Sequence, residues 1–288
     1  MAAIVLTRLR MQLAALMDLY QQPSRFLREL RDLLEFYDDR AFRRAQTGQI
    51  EPLTPHYHVP IQVIRYLQIE LERLIKFAPQ SSLSLADVLW KDEVLEVRQL
   101  GVFIISRMPV SPSPITESAG GELSRQVVER ILSWARPEEE FEALKSLLVD
   151  GTRRLRQERP EQWTALASDW LSSEAVAIQA MGLRGLSALV EDAEFENLPV
   201  IFRLISPLAQ NIRPGTPALF HELSGVLAAL GRRTPTETVF FLRQMLPIAA
   251  QPVFPRLVRR LMPLFTPEQQ VGLKASLLEA ARHKTPDF

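Results

Sequence analysis

Clusters of arginine are the residues of this chain best suited to bind a charged partner. Arg153, Arg154 and Arg156 are close neighbours, and Arg232 is adjacent to Arg233. A guanidinium group binds phosphate or carboxylate oxygens through a planar fork of N–H donors. We therefore predict these five side chains as candidate nucleic-acid-binding residues. The alternative is that they are solvated helix ends, because the helix dipole favours cations near a C-terminus.

Two further charged clusters allow similar alternatives. Arg256, Arg259 and Arg260 form a third basic group near a predicted helix end, where they either extend a phosphate-contacting stripe or complement the dipole. The acidic run at 138–140 follows Pro137, and acidic residues are favoured in the first turn of a helix. We interpret the acidic run as structural.

Histidine and cysteine provide little basis for a metal site. His56 and His58 are two residues apart, and a tetrahedral zinc site needs further ligands that no nearby residue supplies. His221 lies in a helical pattern, where a structural or surface role is the simpler interpretation. The chain contains no cysteine, glycine-rich phosphate loop, nucleophile elbow or His-Glu-x-x-His motif. We predict neither a metal nor another cofactor.

The overall charge argues against avid, sequence-blind binding to a polyanion. The 34 basic side chains equal the 34 acidic ones, so the formal net charge is zero. Polyanion-binding proteins usually carry a basic excess. A local basic stripe is nevertheless compatible with a balanced total.

The sequence gives no signal for export or for a membrane span. Arg8 and Arg10 interrupt the apolar N-terminal segment, which therefore predicts an amphipathic first helix instead of a leader. No run of about 18 uncharged apolar residues is present. The lack of cysteine favours a reducing compartment, and we expect a cytoplasmic protein that does not bind a membrane.

Apolar residues recur at helical spacing along nearly the whole chain, and alternating strand patterns are nearly absent. Prolines lie near the predicted helix starts, where a missing N–H costs little. Only 109–121 has the composition of a flexible loop, and we predict a single domain over 1–288. The helical patterns cover roughly 3–20, 24–46, 60–78, 83–108, 122–149, 160–190, 195–212, 216–232, 236–249 and 253–282.

A weak internal repeat suggests how these helices are arranged. The segments 93–106 and 174–187 share a Glu, an apolar residue before a Gly, and a final Ser, and 219–231 is a third copy. Their glycines are Gly101, Gly182 and Gly225, each predicted to allow close approach of a neighbouring helix. The underlying period of about 40 residues is typical of HEAT-type helical hairpins. We therefore predict an all-α, HEAT-like α-solenoid with a concave groove.

Three stretches resemble the AlkD-type DNA alkylation-repair glycosylases, which are HEAT-like solenoids. The first is ADVLWKDEVLEVRQLGVFII, with a Leu-Trp and Glu-x-Arg helix pair. The second is LLVDG followed by RPEQWTALASDWLSSEAVAIQAMGL, and the third is FHELSGVLAALGRRTPTETVFFLRQML. Together they cover about 85–247, and their order and spacing agree with the family.

The resemblance implies a site that this chain has largely lost. The catalytic aspartate of the family falls on Asp150, the only match among four site positions. The two tryptophans fall on Ser146 and Val226, and the arginine falls on Ala180. Tryptophan rings would hold a cationic alkylated nucleotide by stacking and cation–π contacts, which serine and valine cannot provide.

We therefore predict a non-catalytic HEAT-repeat module that binds a protein or double-stranded DNA in its groove. One alternative is an alkylpurine DNA glycosylase with a rearranged site around Asp150. The other is a scaffold that binds only proteins, which the balanced charge favours and the arginine clusters disfavour.

Overall fold

The computed structural model describes residues 5–38, 55–110, 117–249 and 252–282. All regular secondary structure in these ranges is helical, which confirms the all-α prediction. None of the helices within them has the length and apolar character needed to cross a membrane. The chain divides into two compact units, Met1–Glu158 and Arg159–Phe288. The single solenoid domain over 1–288 stays a prediction.

The first unit is built from helices that pack in two layers. Helices α1, α3 and α5 are successive neighbours in one layer, and α5 also packs against the π-helical turn. Helix α2 packs on α4, and Arg130 of α6 forms an ion pair with Asp87 of α4. The elements are α1 (Leu6–Met17), α2 (Pro23–Phe36), α3 (Ile61–Phe77), α4 (Pro79–Trp90), α5 (Leu95–Arg107), α6 (Glu117–Trp134), α7 (Phe141–Ser146), the π-helical turn (Leu147–Gly151) and α8 (Arg153–Glu158).

The second unit repeats this arrangement. Helices α10, α12 and α14 are neighbours in one layer, and α9, α11, α13 and α15 are neighbours in the other. Sequential helix-pair packing of this kind is consistent with stacked hairpins. The elements are α9 (Pro160–Leu171), α10 (Val176–Glu191), α11 (Leu198–Asn211), α12 (Pro217–Arg233), α13 (Pro235–Met245), α14 (Val253–Leu261), a 3-10 turn (Met262–Leu264) and α15 (Pro267–Arg282).

Turns divide several of the helical patterns into two helices, and two of these turns contain neither glycine nor proline. The pattern over 83–108 is two helices, and the break lies where Asp92 accepts a hydrogen bond from the backbone N–H of Val94 at 2.8 Å. The pattern over 160–190 breaks where the Ser173 hydroxyl accepts from Ala175 at 3.2 Å. Such side-chain turns reverse the chain while the apolar spacing continues. The patterns over 122–149 and 253–282 are also interrupted, at turns that contain Pro137 and Pro263.

Prolines mark most helix starts as predicted, but the segment before α7 differs. Five of the predicted prolines are the first residues of helices, and Pro60 directly precedes α3. Pro137 instead lies in the turn after α6, and Glu140 caps α7 by accepting a hydrogen bond from Ala143 at 2.8 Å. The predicted loop 109–121 is too long, because 117–121 belongs to α6; 111–116 lies outside the described residues.

Two of the three repeat glycines lie at tight helix contacts. A Cβ atom on Gly101 would lie 3.2 Å from the carbonyl oxygen of Ala86 in α4, and one on Gly182 would lie 3.1 Å from the Cβ of Trp170 in α9. The prediction for Gly225 was wrong, because its nearest neighbour would be a Ser187 side-chain oxygen at 3.9 Å. Gly225 thus faces a position with room for a methyl group.

Candidate functional site

The first unit contains a cleft of about 690 Å³ between α3, α5 and the segment formed by the π-helical turn and α8. A volume of this size is within the range of small-ligand and peptide side-chain pockets. Its lining combines apolar, amide, hydroxyl and charged side chains. The lining residues are Ile61, Ile64, Gln68, Gln99, Val102, Phe103, Ser106, Arg107, Ser146, Asp150, Arg153, Arg154 and Gln157.

One wall of the cleft is apolar because α3 and α5 pack side by side. Ile61 and Ile64 come from the first turn of α3, and Val102 and Phe103 come from the middle of α5. Ile61 is 55% exposed, whereas Val102 is buried. We call these four residues the apolar wall. A ligand that covers a partially exposed apolar surface inside a concavity removes it from water, which favours binding.

Three arginines from two helices line the same cleft. The guanidinium of Arg107, in the last turn of α5, lies 5.1 Å from the ring centre of Phe103. Arg154 of α8 donates to the Arg107 carbonyl at 3.1 Å and to Glu158 Oε1 at 2.9 Å. Arg107 and Arg153 are exposed and form no ion pair with any residue in the described ranges. Their charges are therefore available to an anionic partner.

Asp150 is the only acidic residue among those that line the cleft. It is exposed on the π-helical turn, which approaches α5 closely at the next residue. A Cβ atom on Gly151 would lie 3.0 Å from Leu147 Cδ1 and 3.2 Å from Val102 Cγ1. The glycine thus permits the contact that brings Asp150 to the cleft.

Arg156 belongs to the same sequence cluster but is buried, with 4% of its surface exposed. Its Nη1 donates to the carbonyl oxygens of Leu148 and Val149, both at 2.9 Å, and to the Thr152 hydroxyl oxygen at 2.6 Å. A π-helical turn leaves carbonyls without their usual partners, and the guanidinium satisfies them. Arg156 holds the turn together and is not among the cleft-lining residues.

Arg232 and Arg233 lie in the second unit, at the end of α12. Arg232 forms an ion pair with Glu191 at 2.9 Å. Arg233 donates to the carbonyl oxygens of Val190 and Asp192 at 2.9 Å, which caps the C-terminal end of α10. Both guanidiniums thus connect neighbouring helices, and their nucleic-acid-binding role stays a prediction.

The positions implied by the family resemblance lie in different environments. Ser146 lines the cleft together with Asp150. Ala180 of α10 and Val226 of α12 are buried in the core of the second unit. The residues at these two positions therefore offer no surface to a nucleotide.

The histidines do not form a metal centre in the described part of the chain. The rings of His56 and His58 lie 4.0 Å apart in the segment before α3, but no group of three or more suitable side chains occurs in the described ranges. His221 is exposed on α12. The placement of His221 agrees with the surface interpretation.

The sequence pattern does not reveal the apolar wall or the role of Arg107 beside it. Phe103 and Arg107 are one helical turn apart in a segment that is otherwise strongly apolar, so the pattern alone suggests core packing. Their approach to the 150–154 segment is a long-range contact with no local signal.

Comparisons with known proteins identify no relative. No family model, curated protein or solved structure matches the chain.

Proposed function

We propose that this chain is a non-catalytic, HEAT-like α-solenoid module that binds a segment of a partner protein in the first-unit cleft. The single observation that carries this proposal is the apolar wall beside Arg107 and Arg153, two arginines without a carboxylate partner in the described ranges. Sequential helix pairs support the solenoid architecture, because stacked hairpins use the surface of one layer to bind extended partners.

The mixed lining favours a protein over a nucleic acid at this cleft. A phosphate backbone would use the arginines but would leave Ile61, Ile64 and Phe103 uncovered. A peptide with an apolar side chain next to Asp or Glu satisfies both parts of the lining. The amides of Gln68 and Gln99 are suited to hydrogen bonds with the backbone of such a segment.

A peptide selection tests this proposal without knowledge of the natural partner. Phage-displayed random peptides would be selected on the wild-type protein and counter-selected on the Arg107→Ala/Arg153→Ala variant. We expect enriched sequences that combine an acidic residue with Leu, Ile, Met or Phe. Their affinity, measured by fluorescence anisotropy, should fall at least about tenfold in the double variant, since each lost charged hydrogen bond costs about 1.5–3 kcal/mol.

A matched variant controls for loss of positive charge. Arg10 and Arg28 are exposed in the first unit and do not line the cleft, so Arg10→Ala/Arg28→Ala removes the same charge elsewhere. This control should bind the selected peptides like the wild type. Equal binding by all three proteins, or no enrichment above background, would overturn the cleft as a peptide site.

One observation favours a second candidate function, an alkylpurine DNA glycosylase. Asp150 and Phe103 line the same cleft, so a carboxylate and an aromatic ring are available to one ligand. A carboxylate can stabilise positive charge that develops on a sugar when a cationic base leaves. Release of 3-methyladenine or 7-methylguanine from methylated DNA by the pure protein, lost in Asp150→Asn, would establish this activity and refute the non-catalytic proposal.

A further inference from the structure

Charge in the second unit is sorted between its two layers. The layer of α10, α12 and α14 carries six arginines and only two acidic residues, Glu191 and Glu222. The layer of α9, α11, α13 and α15 carries more acidic than basic residues. A balanced total charge therefore conceals one basic layer.

Both acidic residues of the basic layer are already neutralised within it. Glu222 of α12 accepts from Arg184 of α10 at 2.5 Å, and Glu191 of α10 pairs with Arg232 of α12 at 2.9 Å. Each pair joins adjacent helices, so it contributes to packing between them. No acidic side chain of this layer is left to compensate the arginines of α14.

Helix α14 concentrates the remaining charge on one face. Six of its nine residues are buried and apolar, and the three exposed residues are Arg256, Arg259 and Arg260. None of the three forms an ion pair with a residue in the described ranges, and the Arg260 guanidinium lies 5.8 Å from the Phe220 ring centre. The sequence explains this isolation, since no Asp or Glu occurs between Glu237 and Glu268.

We propose that the exposed face of α14 binds the phosphodiester backbone of a nucleic acid. Residues three and four apart are neighbours on a helix, so the three guanidiniums form one compact donor group. Planar guanidiniums pair well with phosphate oxygens. Unlike the first-unit cleft, this face presents no exposed apolar side chain of α14 for a protein partner to cover. The ligand class and the unit both differ from those of the proposed peptide site.

Salt-dependent binding of labelled oligonucleotides tests the proposal. Fluorescence anisotropy would be measured with single-stranded and duplex probes from about 50 to 200 mM salt, and the slope of log affinity against log salt counts phosphate contacts at about 0.7 or 0.9 each. The Arg256→Ala/Arg259→Ala/Arg260→Ala variant should bind at least about tenfold more weakly at low salt. Its slope should be flatter by up to about 2.7 on the duplex probe and about 2.1 on the single-stranded probe, whatever the base sequence.

The layer of α9, α11, α13 and α15 provides a control with the same change in charge. Arg203, Lys274 and Arg282 are exposed on α11 and α15, so their triple alanine variant removes three cations from the other layer. This control should keep the wild-type affinity and slope. A triple lysine variant at 256, 259 and 260 should keep most of the salt-dependence slope, because it preserves the charge. Its binding also reports that substitution at these positions leaves the fold intact.

Several outcomes would overturn the proposal. One is undetectable binding of both probes by the wild type at about 50 mM salt. Another is an equal loss of affinity in the Arg203, Lys274 and Arg282 control, or no loss of affinity in the α14 variant. Either result would place oligonucleotide binding elsewhere. Displacement of the oligonucleotide by polyglutamate at equal charge concentration would assign the face to acidic peptides, and preferred binding to vesicles containing phosphatidylserine would assign it to a membrane surface. Loss in the α14 variant with normal peptide binding at the cleft would separate this site from the first.

Discussion

The hairpins α9–α10 and α11–α12 share a repeat pattern but pack differently around their glycines. On α10, a Cβ atom at Gly182 would lie 3.1 Å from Trp170 Cβ and 3.3 Å from the carbonyl oxygen of Ala167, so α9 touches the backbone of α10. On α12, a Cβ atom at Gly225 would approach only Ser187, at 3.9 Å, on α10. Glycine at corresponding positions therefore allows a close helix contact at 182, whereas at 225 it leaves room for a larger side chain.

The close approach of α9 to α10 accounts for the difference. Trp163 of α9 is fully buried, donates its indole N–H to the Gly185 carbonyl at 3.1 Å, and packs edge-to-face on Trp170. A Cβ atom on Gly185 would lie 2.9 Å from the Trp163 ring, so Gly185 makes room for an indole while Gly182 makes room for the α9 backbone. Helix α11 contains no tryptophan. The role of a repeat glycine therefore depends on how closely the facing helix approaches it.

Replacing Gly182 with leucine should have the largest effect. The added side chain would have to displace Trp170, Leu171 or the α9 backbone, and overpacking of this kind costs about 3 kcal/mol. The free energy of unfolding from urea denaturation should fall by that amount. Gly225→Leu is the matched control, and an equal loss at both positions would contradict the contrast between the two hairpins.

Much of the fold follows from local sequence. Helical spacing predicts the all-α class, and prolines at 160, 217 and 235 mark helix starts correctly. At Asp92 and Ser173 a polar side chain, and not a helix breaker, reverses the chain while the apolar spacing continues. Whole-chain charge carries no information on how the charges are sorted between layers.

The candidate site was harder to predict than the fold. Arg153, Arg154 and Arg156 look alike in the sequence, yet two line the cleft and one is buried under the π-helical turn. The one-residue insertion that makes a π turn changes which side chains point inward, and its sequence signal is weak. The apolar wall depends on the packing of α3 against α5, which no local pattern specifies.

Arg153 and Arg156 give a second comparison of this kind. They are the same residue type and lie close in sequence, but one is exposed and the other is buried. Arg156→Met should lower the free energy of unfolding by about 2 kcal/mol, since buried carbonyls of Leu148 and Val149 lose a donor. Arg153→Met should change it by less than about 0.5 kcal/mol, because the side chain is exposed. Urea denaturation of both variants measures the difference. Similar losses would show that Arg156 does not stabilise the turn.

The smallest expected effect is a gain in stability instead of a loss. It tests directly whether the two hairpins pack differently around their glycines. Gly225→Ala should raise the free energy of unfolding by about 0.5–1 kcal/mol, because alanine favours a helix interior and its methyl group meets only Ser187 at 3.9 Å. Gly182→Ala gains the same helix propensity but places its methyl group within 3.1–3.3 Å of Trp170, Leu171 and Ala167. These contacts include the α9 backbone at Ala167. Helix α9 must therefore shift, and the net change in stability should be destabilising. Thermal and urea unfolding of the two alanine variants, side by side, should therefore move in opposite directions. If both variants were stabilised, the tight packing of α9 against α10 would not be what requires glycine at 182.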